Sequence, residues 1–78
     1  MKKHSVIISG HSTSFSLEDV FWQEFKEIAK SENIAIANLI TQIDATRTTN
    51  LSSALRVFVL EWIKKHAYET SELHRKFE

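Results

Sequence analysis

Ser12, Ser14 and Ser16 recur at every second position of His11-Ser12-Thr13-Ser14-Phe15-Ser16-Leu17, with Phe15 and Leu17 in the gaps. Successive side chains of an extended chain point to opposite faces. This spacing therefore lays three hydroxyls on one face and two apolar groups on the other. Hydroxyls can donate or accept hydrogen bonds but carry no charge. Charge comes from Lys2, Lys3, His4 and His11, and no acidic residue precedes Glu18. Such a segment attracts phosphate by simple charge. Its serine face is then either a surface that touches a polar partner or the solvated side of a two-sided ribbon.

Other chemistries find no set of residues. Of the four histidines, His4 and His11 flank a turn, while His66 and His74 lie eight apart late in the chain. Neither pair has the i, i+4 spacing or the carboxylate partner of a zinc site, so no metal is expected. Ser52 and Ser53 near Arg56 have no histidine close by in sequence, and helix capping accounts for both serines. A single glycine, Gly10, cannot build a phosphate-cradling loop. Trp22 and Trp62 read as core or interface anchors. No acid–base or nucleophile set assembles, so an enzyme is not expected and no cofactor is implied.

The elements that position the polar face come next. Residues His4 to Ser9 centre on the β-branched run Val6-Ile7-Ile8, which suits a strand. Gly10-His11 reads as a two-residue hairpin turn with glycine first; one long strand bent at Gly10 is the alternative. A lone strand is unstable because its backbone groups need ladder partners. The partner of 11–17 is the chain's own N-terminal strand, a second copy, or both.

Ser16 reads as the N-cap of a first helix, with Asp19 three residues on. Phe21, Phe25, Ile28 and Ala29 keep helical spacing, with Trp22 beside them, and Asn33 suits the left-handed position after the helix. Ile36, Leu39, Ile40 and Ile43 mark a second helix from about Ala35 to Ala45. Asp44 and Arg47 are spaced to form an ion pair at its end. Asn50 caps a third helix whose stripe is Leu51, Ala54, Leu55, Phe58 and Trp62. Val57, Val59, Leu60 and Ile63 widen its apolar surface almost all round, which implies burial on more than one side. Residues 68–78 are polar and read as a loose tail.

Size sets the remaining bounds. At 78 residues one domain is expected: a ribbon over 4–17, a three-helix body over 17–63, and the tail. That length is marginal for a self-sufficient core, and without cysteine no disulfide or thiolate metal site can staple it. Self-association is the natural remedy. Val6-Ile7-Ile8 is too short for the apolar region of a signal peptide, and no stretch reaches the ~20 apolar residues of a membrane span. A cytoplasmic location is expected. Ten basic and ten acidic residues give zero formal net charge, which argues against a strong non-specific nucleic-acid binder.

The order strand, helix, turn, helix resembles the ribbon-helix-helix superfamily of the Arc and MetJ repressors. The residues that carry the likeness are Ser14-Phe15-Ser16-Leu17-Glu18, Phe21, Phe25, Ile28-Ala29, Asn33, and Ile36, Leu39 and Ile40. Gly10-His11, Thr13-Ser14, Phe21-Trp22, Ile43-Asp44 and Asn50 to Leu60 are similar to a group of small bacterial members, so the likeness spans about 4–63. It implies a mainly α fold with a short N-terminal β-ribbon and an additional C-terminal helix. It also implies an intertwined homodimer in which a strand from each subunit pairs antiparallel. In DNA-binding members the ribbon enters the major groove, and the N-terminus of the second helix receives a phosphate.

Mapped onto this chain, the implied DNA contacts are Ser12, Ser14 and Ser16 at bases, Lys2, Lys3, His4 and His11 at phosphates, and Ala35 at the second helix. Arg, Lys, Asn or Gln are commoner on such a ribbon, and Ser or Thr at the cap. The expected function is a small homodimeric transcriptional regulator, and the girth of the third helix permits a tetramer. The alternatives are an interaction module on the same fold without DNA affinity, or an antitoxin-like protein whose tail over 68–78 wraps a protein partner.

Overall fold

A computed structural model describes the backbone of residues 1–75 and the side-chain surroundings of residues 1–67. Two strands, β1 (Lys2–Ile8) and β2 (His11–Leu17), precede three helices: α1 (Asp19–Ser31), α2 (Ile36–Thr46) and α3 (Leu51–Arg75). The expected order of a β-ribbon followed by three helices is therefore present.

β1 and β2 form an antiparallel hairpin within the one chain, with Lys2 opposite Leu17 and Ile8 opposite His11. The chain's own N-terminal strand thus pairs with one edge of β2, and the other edge is unpaired within the chain. The ribbon begins at Lys2, two residues before the expected start. The turn is also corrected by one residue: Ser9 and Gly10 are its central pair, not Gly10 and His11. Both have positive φ, 51° and 79°. Positive φ at both central positions is the type I′ turn, whose twist matches that of a hairpin. Because side chains alternate, the shift decides which residues of β1 share a face with which residues of β2.

Ser16 does not cap α1. It remains in β2 opposite Lys3, and Glu18 is the N-cap with extended backbone and no side-chain cap bond. The ladder holds Ser16 extended through Leu17, so the chain cannot turn into the helix until Glu18. The Glu18 carbonyl accepts the Trp22 N–H at 2.9 Å. Its carboxylate instead accepts a hydrogen bond from Arg56 Nε of α3 at 2.8 Å. That guanidinium lowers the Glu18 pKa from the ordinary carboxylate value.

Asn33 has φ 57°, as its place after α1 predicts. The Ile34 N–H reaches the Ala29 carbonyl at 2.9 Å and the Asn33 N–H reaches that of Lys30 at 3.1 Å. This pair of bonds is the Schellman closure, which satisfies carbonyls that the helix end would leave open. Asn50 caps α3 through its Oδ1, which accepts the Ser53 N–H at 2.8 Å. Arg47 pairs with Asp44 at 2.7 Å and donates to the Thr49 carbonyl at 2.7 Å, fixing the α2–α3 connection.

The helical backbone of α3 extends to Arg75. The side chains of the tail and residues 76–78 lie outside the described residues.

The core joins the inner face of the hairpin to all three helices. Leu17, Phe25, Ile28, Ile40, Leu55 and Val59 are fully buried, one or more from each of β2, α1, α2 and α3. Burying such a side chain stabilises by about 1.5–3 kcal/mol. An aromatic series ties the hairpin to the helices. His4 of β1 stacks on Trp22 at 4.2 Å, Trp22 lies parallel to Phe25 at 6.2 Å, and Phe25 meets the edge of Phe58 at 5.9 Å.

Candidate nucleic-acid interface

Cross-strand partners of an antiparallel pair share a face. One face of the hairpin carries His4 with Phe15, Val6 with Thr13, and Ile8 with His11. Phe15 and Ile8 on it are buried against the helices, and His4 and Val6 are half-buried. The opposite face carries Lys3 with Ser16, Ser5 with Ser14, and Ile7 with Ser12. These six are exposed except Ser16, which is half-buried. The helices pack beneath the first face, so the second faces outward.

The named candidates therefore separate. Ser12, Ser14, Ser16 and Lys3 come together on the outward face. Lys2 is exposed at the strand end, opposite Leu17. His11 is exposed beside the turn but aligned with the inward row. His4 is off the outward face altogether. Its ring stacks on Trp22 and lies 5.4 Å from that of Phe15, and its Nε2 is buried with no hydrogen-bond partner. Parity accounts for this placement: His4 is the cross-strand partner of Phe15 on the inward face, and its imidazole joins the aromatic series.

Ser5 and Ile7 also belong to the outward face, although the sequence reading did not single them out. Ile7 is 69% exposed. The signal lay in Ser9-Gly10. Once that turn fixes the register, the odd-numbered residues of β1 fall opposite the even-numbered residues of β2.

Ala35 is the N-cap of α2, with extended backbone, and its carbonyl accepts the Leu39 N–H at 3.0 Å. The N–H groups of Ile36, Ala37 and Asn38, like those of any first turn, have no intrahelical acceptor, and the methyl side chain of Ala35 supplies no cap to them. No acidic side chain stands in the first turn of α2, leaving the positive end of its dipole unopposed. That is the electrostatic condition for anion capture.

Elsewhere, an open groove of about 420 Å³ runs between the end of α2 and α3, bordered by Ile43, Arg47, Val57, Phe58 and Glu61. Arg47 and Glu61 are the ionisable residues of its lining. Among the described residues no three His, Cys, Asp or Glu side chains come together as metal ligands, and no helix is long and apolar enough to cross a membrane.

The ribbon-helix-helix domain model matches residues 1–63. No curated protein and no solved structure matches the chain. Members of the matched family are in general DNA-binding transcription regulators. The match takes in the hairpin, α1, α2 and α3 as far as Ile63, so the chain belongs to the ribbon-helix-helix domain family.

Proposed function

We propose that this chain is a homodimeric DNA-binding regulator whose hairpin lies in the major groove with its outward face toward the bases. The observation that carries this is the make-up of that face: hydroxyls, one lysine and one isoleucine, with no acidic residue anywhere before Glu18. A two-stranded ribbon is a shape the groove, about 12 Å wide, admits. Ser12, Ser14 and Ser16 hydrogen-bond base edges, while Lys2 and Lys3 hold phosphates. The free N–H groups after Ala35 receive a further phosphate.

Zero net charge favours a second reading, an interaction module on the same fold that binds protein rather than DNA. Binding of random duplex DNA, followed by fluorescence anisotropy across a salt series, separates the two. The wild type is expected to bind at low salt with a negative slope of log affinity against log salt. Replacing Lys2 and Lys3 by alanine should reduce that slope by about 0.9 for each phosphate that is no longer neutralised. An unchanged slope removes both lysines from the interface. No binding even at low salt removes DNA as the partner and leaves the interaction module.

A further inference from the structure

The hairpin presents one large apolar group to solvent on a face otherwise made of small hydroxyls and a lysine. Ile7 is cross-strand from Ser12 and 69% exposed. It shares its face with Ser5 and Lys3 on its own strand and with Ser14 and Ser16 on the other. A serine reaches only one heavy atom beyond Cβ, so Ile7 is the apolar side chain that stands above the floor of this face.

We propose that Ile7 reads the C5-methyl group of a thymine, which makes β1 a reading strand alongside β2. The inference rests on the DNA-binding reading above and deepens it. In the major groove the thymine methyl is the apolar group that a base edge displays, and apolar side chains recognise it by contact. The short serines around Ile7 let the ribbon floor approach the bases, which brings the branched side chain into van der Waals range. The charge of the hairpin supports DNA as the occupant, since Lys3 stands on the face, Lys2 is exposed at the strand end next to it, and Asp and Glu are absent before Glu18. Serine accepts or donates to any base and so discriminates weakly. Ile7 is then the residue of this face that separates T·A from C·G at its position.

The test uses the full-length protein. Duplexes selected from a random library by the wild type are expected to share a thymine at a fixed position. Replacing that thymine by deoxyuridine removes only the methyl group. Wild-type affinity should then fall roughly fourfold, the value of one buried methyl-sized group. Ile7→Ser should bind the thymine and deoxyuridine duplexes equally, with its salt slope unchanged. Ile7→Val, still apolar and β-branched, should retain the preference, and circular dichroism should show both variants folded. If selection enriches no thymine, or if deoxyuridine affects the wild type and Ile7→Ser alike, the role of Ile7 is overturned while DNA binding stands. Failure of the wild type to bind any duplex at low salt overturns both readings.

Discussion

Ser9 and Gly10 both hold the backbone at positive φ, where an L side chain crowds its own carbonyl. Glycine carries no such penalty, and no heavy atom lies within 4 Å of where a Cβ on Gly10 would sit. Any cost of substituting Gly10 is therefore conformational rather than a clash. Gly10→Ala is expected to lower stability by about 1 kcal/mol, read as a drop in the thermal midpoint by circular dichroism. A neutral result would show that the turn is not type I′ in solution, and the register with its six-residue outward face would go with it. Asn33 and Asn50 act at the same scale. One takes the left-handed conformation that closes α1, and the other accepts a backbone N–H of the first turn of α3 on its side-chain oxygen.

Between elements, the Glu18–Arg56 pair joins the β2–α1 junction to α3 across 38 positions of sequence. Both side chains are partly exposed, so the pair is screened and its contribution is modest. Its pH dependence has a definite sign. The hydrogen bond from Arg56 favours the ionised carboxylate and lowers its folded-state pKa. Stability from this pair is therefore present above the unfolded-state pKa and is lost as the pH falls through the folded-state one. Thermal melts across an acid series should show Glu18→Gln less stable than wild type near neutrality. The two should converge in acid, where the wild-type carboxyl is also neutral. Parallel curves would mean that the pair does not form in solution. The aromatic series His4, Trp22, Phe25 and Phe58 does the rest of the positioning, because it holds the inward face of β1 against α1 and α3.

For the whole molecule, α3 is the unusual element. Leu51, Leu55 and Val59 bury one side of it, while Val57 and Leu60 are 51% and 54% exposed on another. A soluble helix normally turns polar groups outward there. Under the proposed homodimer a second copy covers this face. Changing Val57 and Leu60 together to glutamate should weaken self-association by roughly tenfold or more, since the dimer would have to bury unpaired charge. Sedimentation velocity measures the outcome directly. A wild-type chain that stays folded and sediments as one copy at micromolar concentration would remove the homodimer. A dimer unaffected by both changes would place the interface elsewhere, with the free edge of β2 as the next candidate.

The helices were legible because each carries its own local signals. Ile36, Leu39, Ile40 and Ile43 repeat at helical spacing, and Asn33 and Asn50 mark boundaries by backbone preference and side-chain capping. Ser12, Ser14 and Ser16 opposite Phe15 and Leu17 were legible because strand alternation is a property of the backbone itself. The sequence also allowed Ser16 as a cap and left the facing of His4 open, since the local pattern fits either. Only tertiary pairing decided both. The β1–β2 ladder keeps Ser16 extended, and the register set at Ser9-Gly10 turns His4 inward onto Trp22. Register is a relation between two strands, and neither strand contains it alone. The same relation brings Ile7 and Ser5 to the serine face, so the full extent of the candidate interface emerged only once the chain had folded back on itself.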